Sequence, residues 1–350
     1  MREAPETLRK TLQTVLLAHG VPERLARVQT DLLLEAQMRG YASHGLLRLP
    51  RIIERIVNGV SSPTATGAHE WVSDSFLRVD GERGLGPVVA VSALDALKER
   101  ARRTGIAIAA IRNSNHIGML AWYGDYVARD ELILVGATTS EALVHPWGGR
   151  RALIGTNPLC IAVPATPEPL VLDMATSLVS MGKIHDHANR GVPIPEGWAL
   201  DAEGNPTTDA GAAKAGAIAP FGGPKGYALG LALELLVTAL SGSAIGTHVH
   251  GTLDSNTVCN KGDLFIVISP PQNAPTAAAI HAYLDEIRAS GSGGGSESLG
   301  ANQQYVSVPG DRSRKARARS IATGVEVDDA LWQQILSLVP QFDRKVSTLI

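Results

Sequence analysis

Two short segments, Ile106–Ile111 (IAIAAI) and Leu264–Ser269 (LFIVIS), are apolar almost throughout. A strand with one face in water alternates polar and apolar residues; one that does not alternate needs cover on both faces. A chain carrying two such strands is therefore expected to build an α/β fold. The flanking pattern agrees. A strand is expected over 75–80, then the loop Gly81–Pro87 and a helix from Val88 to about Arg103, stopped by Gly105. After IAIAAI come a helix ending near Arg129 and strands at Leu132–Thr138, from about Leu159, and at Leu170–Met174. Open α/β sheets place ligands in polar loops at strand ends. His116, in NSNHIG, occupies such a loop, and Asp173 lies at the same sheet edge if the strands are parallel.

The first fifty or so residues are helical. Leu8, Leu12, Val15 and Leu16 form one stripe over 5–19, with Gly20 as the stop. Pro22 opens a second helix, with Leu25, Val28, Leu32 and Ala36 inward. A third helix is expected after Ser43, a suitable N-cap, with Pro50 either kinking it or marking a restart. On that helix His44 and Arg48, four apart, share a face. An imidazole beside a guanidinium can move a proton next to a bound carboxylate; a capped surface helix would read the same.

Residues 185–224 are rich in Pro, Gly and Asp and are expected to form a long surface excursion. PFGGPKGYALGLALELLVTALSG (220–242) is apolar on most sides, which predicts a buried helix with Lys225 at its start. Pro275–Ala289 reads as a helix, GSGGGSESLG (291–300) as low-complexity, RSRKARARS as a solvated basic helix ended by Gly324, and Asp328–Val339 as the last helix.

At 350 residues and 44% hydrophobic, the chain can bury a large core. A net charge of −2 argues against nucleic acid as a partner. The two cysteines, Cys160 and Cys259, fit no zinc or disulfide spacing and suit a reducing compartment. The N-terminus lacks an apolar signal core, and no apolar run approaches the about 18 residues of a membrane span. A cytoplasmic protein is expected.

No GxGxxG turn joins a first strand to a helix, so a nicotinamide site would not be of the Rossmann kind. Gly222, Gly223, Gly226 and Lys225 can hold phosphate at a helix start or merely pack a tight turn. The pairs His185/His187 and His248/His250 can chelate on a strand, but neither has companion ligands at diagnostic spacing, so no metal is assigned. A metal-dependent hydrolase using these pairs and a non-catalytic binding protein remain the alternatives from other classes.

The motifs SHGLLRLP, NSNHIG, HPWGG, IGTNPLCIAVP, VLDMATS, GWALDAEGNPTTD, PFGGPKGYALGLALELL, CNKGDLFIVI and VPGDR occur in order over about residues 5–340. Together they resemble the type-2 malate/L-lactate dehydrogenase family, which includes malate, sulfolactate and ureidoglycolate dehydrogenases and cyclic imino-acid reductases. The resemblance implies a non-Rossmann α/β fold, with a central cofactor-binding domain (71–300) built on a mixed sheet with helices, and a helical domain built from residues 1–70 and 301–350. It implies NAD or NADP as cofactor, a 2-hydroxy or 2-oxo acid as substrate, and a homodimer or larger assembly.

Carried over by position, Ser43 and His44 match the pair at the active site, Arg48 the residue gripping the substrate carboxylate, and His116 a proton-transfer histidine. Ser140, Asp173, Met174, Ala175, Lys225, Gly310, Asp311 and Arg312 match cofactor contacts; Thr156 lies near the substrate in the imine-reductase branch. Lys183 stands where the imine reductases carry an aspartate in a relay with the Ser–His pair. This departure favours an oxo or hydroxy acid over an imine. The HPWGG and CNKGDLF motifs lean toward the malate/sulfolactate branch, a small dicarboxylate-like acid. The same-class alternative is a piperideine- or pyrroline-2-carboxylate reductase.

Overall fold

The computed structural model describes residues 1–271, 276–291 and 306–339. After the short strand β1 (Arg2–Glu3) come α1 (Pro5–Ala18) and α2 (Glu23–Met38). Their inward stripes are the expected ones, with Leu8, Leu12, Val15, Leu16, Leu25, Leu32 and Ala36 buried. The third helix differs from expectation. α3 (Leu49–Val57) begins at Leu49 with Pro50 in its first turn, so the proline marks a restart. Two 3-10 turns, Ala42–His44 and Leu46–Arg48, precede it. Gly45 divides them: a Cβ there would stand 2.4 Å from Gln37 Oε1, so only glycine lets the turn pack on α2.

The chain then runs β2 (Ala68–Trp71), β3 (Phe76–Asp80), α4 (Gly86–Thr104), β4 (Ile106–Arg112), α5 (Leu120–Ala128), β5 (Ile133–Thr138), β6 (Leu159–Val163) and β7 (Leu170–Met174). Next come α6 (Met181–Asn189), β8 (Ala199–Leu200), β9 (Pro206–Thr207), α7 (Ala210–Ala213), β10 (Ala217–Ile218) and α8 (Pro224–Ser241). β11 (Asp263–Ile268), α9 (Ala277–Ala289), α10 (Asp311–Thr323), β12 (Val325–Glu326) and α11 (Asp329–Ser337) complete it. Pro275 and residues 292–300 of the low-complexity stretch lie outside the described residues.

The main sheet has the order β2-β3-β4-β11-β5-β6-β7. Only β3 and β4 pair in parallel; every other neighbouring pair in it is antiparallel. The sheet is mixed, as the resemblance implies, so the parallel condition attached to Asp173 does not hold for the sheet as a whole. β4 and β11 are apolar because both faces are covered: α4 and α5 lie on one side and α8 on the other. β4, β5 and β7 nonetheless run the same way, so their C-terminal ends share one edge of the sheet with the starts of β6 and β11. His116 and Asp173 do stand at the same edge.

Residues 185–224 are more than an excursion. β10, β8 and β9 form a three-stranded sheet that, with α6 and α7, encloses its own core of Ile184, Ile194, Ala213 and Ile218. Strands of two residues are too short to show a period, which is why the sequence pattern hides them.

The N-terminus meets residues 325–329: β1 pairs antiparallel with β12, and the Met1 ammonium is 2.7 Å from Asp329. The principal core runs without a break from α1 and α2 into the sheet, across residue 70. α8 is buried on one side only. Leu233, Glu234 and Val237 face the sheet, while Leu235 and Leu236 are 48% and 46% exposed. Among the described residues, no helix is long and apolar enough to cross a membrane.

Candidate active site

A cavity opens where α2, the turns before α3, α3 itself and the loop after β4 converge. His44, Arg48, Arg51, Arg55, Asn115 and His116 supply its polar wall, and Leu32, Leu33, Ile52 and Leu85 its apolar one. No carboxylate lines it among the described residues. His44 and Arg48 meet here although they do not share an α-helical face. The two 3-10 turns fold the segment so that Arg48 Nε donates to the Ser43 carbonyl at 2.7 Å. Arg48 Nη1 reaches the Thr252 carbonyl at 3.4 Å. Ser43 caps no helix; its Oγ lies 3.0 Å from His44 Nδ1.

The His44 and His116 rings are 5.5 Å apart, centre to centre. His116 Nδ1 accepts the Gly118 backbone N–H at 3.1 Å. Gly118 has φ +73, and a Cβ there would stand 2.2 Å from Leu32 Cδ2, so glycine is required for this loop to close on α2. Asn115 locks the loop from behind. Its Nδ2 donates to the carbonyls of Arg83 (2.7 Å) and Gly84 (2.8 Å), and its Oδ1 accepts from Arg55 Nε (3.0 Å).

The cavity is electropositive. Burial, then the nearby Arg48, pushes the His44 pKa down to about 4. Burial, Arg48 and His44 hold His116 well below its usual value. Burial and Arg51 lower Arg48 to about 10. Both imidazoles are neutral at pH 7 in the free protein, and an anion entering the cavity favours their protonated forms.

The other sequence-derived candidates divide into groups. Ser140 and Thr156 are neighbours: Thr156 N donates to Ser140 Oγ at 2.9 Å. Thr176 Oγ1 donates to the Thr156 carbonyl at 2.9 Å, and the Thr176 carbonyl accepts from Phe221 N, just before α8. These contacts bring Ser140, Thr156, the end of β7 and the start of α8 to one place. Asp173 turns the other way. Its Oδ2 accepts Ala121 N at 2.7 Å, at the N-terminus of α5, and burial there raises its pKa to about 6. Met174 and Ala175 are half-buried beside it.

Lys225 is exposed at the start of the 18-residue α8, behind Gly222 (φ +56) and Gly223 (φ +62). The Ser177 hydroxyl, beside Pro220, is buried without a hydrogen-bond partner among the described residues. A helix start, an ammonium and a spare hydroxyl suit a phosphate-bearing group such as a nicotinamide dinucleotide.

Two candidates stand apart from these groups. Lys183 lies near Ser43 in backbone position, since its neighbour Gly182 packs there. Its side chain, however, is exposed, with Nζ over the Trp198 ring at 5.3 Å. The Lys183 ammonium makes no hydrogen bond to Ser43 or His44 among the described residues. Gly310, Asp311 and Arg312 sit at the other end of β7 from Met174, roughly 13 Å along the strand, because Arg314 bonds the Pro169 carbonyl. Asp311 is held there by Arg288 at 2.8 Å.

The sequence reading missed three groups. Arg51 and Arg55 were signalled by Arg48-x-x-Arg51-x-x-x-Arg55, one stripe of a helix. Lys261, 2% exposed and paired with Asp263, adds positive charge near His116. Glu234 is 1% exposed in the middle of α8. It accepts from Asn157 Nδ2 (2.6 Å), Gly155 N (3.0 Å) and Gly246 N (2.7 Å), so it shapes the Thr156 loop. Glu234→Ala leaves these donors without an acceptor and is expected to cost on the order of 3 kcal/mol. Thermal unfolding should show a clear fall in Tm; an unchanged Tm would mean the network does not hold the loop.

His185 and His187 lie on α6, not on a strand, and His187 Nδ1 is 3.0 Å from the Pro193 carbonyl. Among the described residues no group of three or more His, Cys, Asp and Glu side chains is placed to hold a metal.

Comparison with known proteins bears on the whole chain. The family model for malate/L-lactate dehydrogenase matches residues 4–336. The L-sulfolactate dehydrogenase of Methanothermobacter thermautotrophicus is 35% identical over 346 residues, 98% of each chain. A solved dehydrogenase from Sinorhizobium meliloti is 51% identical, with a TM-score of 0.91 over 97% of this chain and 98% of that one. The sulfolactate dehydrogenase structure from Methanocaldococcus jannaschii is 34% identical, with a TM-score of 0.87 over 97% and 96%.

Proposed function

The chain belongs to the malate/L-lactate dehydrogenase family, and we propose that it interconverts a small 2-hydroxy acid and its 2-oxo acid with NAD or NADP. The observation that carries this reading is the cavity wall itself: two histidines in contact, arginines beside them, and no lining carboxylate among the described residues. Such a wall binds a small acid and handles one proton.

Arg48 spends Nε and Nη1 on backbone carbonyls, which fixes the guanidinium and leaves its Nη2 end for the substrate carboxylate. The two histidines take different parts. Gly118 N–H donates to His116 Nδ1, so the neutral ring carries its proton on Nε2. Protonating Nδ1 would set two donors against each other. His116 therefore donates a hydrogen bond to the carbonyl oxygen. His44 Nδ1 faces the Ser43 hydroxyl, which can accept as readily as donate. His44 can thus become imidazolium with Nδ1–H held by Ser43, and deliver the proton from Nε2. The nicotinamide, when bound, supplies the hydride. Ser140, Thr156, Met174, Ala175 and the α8 start with Lys225 are assigned to hold it, with Asp173 fixing the end of β7 through its bond to Ala121 N.

A homodimer or larger assembly is part of the proposal. The outward Leu235, Leu236 and Leu240 of α8 form an apolar stripe that a second copy would cover. The free buried cysteines, Cys160 and Cys259, fit a cytoplasmic setting.

The test is cofactor oxidation, followed by absorbance, with oxaloacetate, pyruvate, sulfopyruvate, 2-oxoglutarate and piperideine-2-carboxylate. Turnover of an oxo acid is expected; turnover of the imine alone would overturn the reading. The reverse reaction carries a pH prediction. A base must be neutral, and His44 is neutral above about 4. The kcat/KM for hydroxy-acid oxidation should stay flat as pH falls through 6.5 and drop only near the lower value. A drop centred at or above 6.5 would count against His44.

A further inference from the structure

Arg48 can offer a substrate only one free edge, yet the cavity holds two more guanidinium groups. Arg51 and Arg55 follow Arg48 on the stripe that α3 turns toward the cavity. The rise from Arg48 to Arg51 is roughly 5 Å, close to the separation of the acid groups in a four-carbon diacid.

Arg51 makes no hydrogen bond or ion pair among the described residues and is half-buried. Arg55 is 5% exposed. Its Nε and Nη1 are taken by Asn115 and the Asp254 carbonyl, but its Nη2 is buried with no acceptor among the described residues. A buried charged donor without a partner costs free energy unless something fills the gap.

The acids packed nearby are engaged elsewhere. Glu54 accepts from Ser255 Oγ, Glu141 from Thr252 and Leu253, and Asp254 from Asn256 and Thr257. Asp254 and Glu141 still offset part of the charge on Arg55, but Arg51 makes no ion pair among the described residues, and its charge lowers Arg48 beyond the effect of burial.

We propose that Arg51, backed by Arg55, binds a second anionic group on the substrate and so selects acids with two negative ends, a dicarboxylate or a sulfo-carboxylate, over monoacids such as pyruvate. The proposal rests on the 2-oxo acid reading above and names the substrate class within it. The first carboxylate lies on Arg48, the reacting carbonyl points at the two histidines, and the far anion lies toward Arg51.

The test compares wild type with Arg51→Gln and Arg51→Lys. The readout is the ratio of kcat/KM for oxaloacetate to that for pyruvate, with sulfopyruvate as a second dianion. In Arg51→Gln the ratio should fall by roughly 30-fold or more, mainly through KM for the dianion, and Arg51→Lys should restore part of it. Which dianion loses more tells carboxylate from sulfonate. A ratio within threefold of wild type, or wild-type preference for pyruvate, overturns the proposal.

If wild type reduces no oxo acid, the functional reading fails first, and binding decides this point separately. Succinate should then raise the Tm of wild type more than acetate does, and Arg51→Gln should abolish that difference. Equal shifts by both acids in wild type, or a difference that survives in Arg51→Gln, would sink the two-anion site.

Discussion

His44→Ala is expected to lower kcat for oxo-acid reduction by roughly 100- to 10,000-fold, the range over which a positioned proton donor acts. The reason is the hydrogen-bond chemistry of its two neighbours. Ser43 Oγ stands 3.0 Å from His44 Nδ1 and can accept a proton-bearing Nδ1. Gly118 N–H, 3.1 Å from His116 Nδ1, can only donate. Uptake of a second proton is thus open to His44 and opposed at His116. His116→Ala should lose a hydrogen bond to the developing alkoxide, a smaller effect of roughly 10- to 100-fold, with the acid limb of the pH profile kept. His44→Ala should lose that limb together with turnover. A larger loss in His116→Ala, with the limb lost there, would reverse the assignment. Ser43→Ala gives a finer check: it should move the limb, because the acceptor for the imidazolium is gone.

Arg48→Met should reduce kcat/KM by roughly 1,000-fold or more, since it removes the group that anchors the substrate carboxylate by a charge-assisted hydrogen bond. Arg48 also ties its own turn, donating at 2.7 Å to the Ser43 carbonyl. A loss of position at Ser43 and His44 therefore adds to the loss of charge. Arg48→Lys separates the two. An ammonium keeps the charge but cannot serve the Ser43 carbonyl and the substrate at once. It should recover part of KM and less of kcat. With the lowering charge gone, the acid limb of Arg48→Met should also move upward, because Arg48 depresses both His44 and His116. An Arg48→Met enzyme with an unchanged KM would remove Arg48 from the site.

Much of this was legible in the residues. The stripe Leu8, Leu12, Val15, Leu16 and the runs at β4 and β11 report burial, and burial at a helical or extended period names the element. Gly20, Gly105 and Gly324 end their helices with positive φ, as punctuation predicts. His44, Arg48 and His116 were reachable through their motifs. The spacing argument used for the first two was nevertheless wrong in detail: four residues apart placed them on one α-helical face, and the structure brings them together through two 3-10 turns around Gly45.

Residue pattern sets which segments are buried, which form helices or strands, and which side chains carry the chemistry, because those properties depend on neighbours within one or two turns. Only the tertiary structure decided the order and direction of the strands in the mixed sheet, since both depend on partners far along the chain: β11 enters antiparallel between β4 and β5. It decided that residues 185–224 hold a core of their own and that Lys183 turns to Trp198 rather than to His44. It also set the tautomer of His116 and left Arg51 without a hydrogen bond or ion pair among the described residues. Those outcomes depend on how the folded loops and side chains are placed in space, and no local period records them.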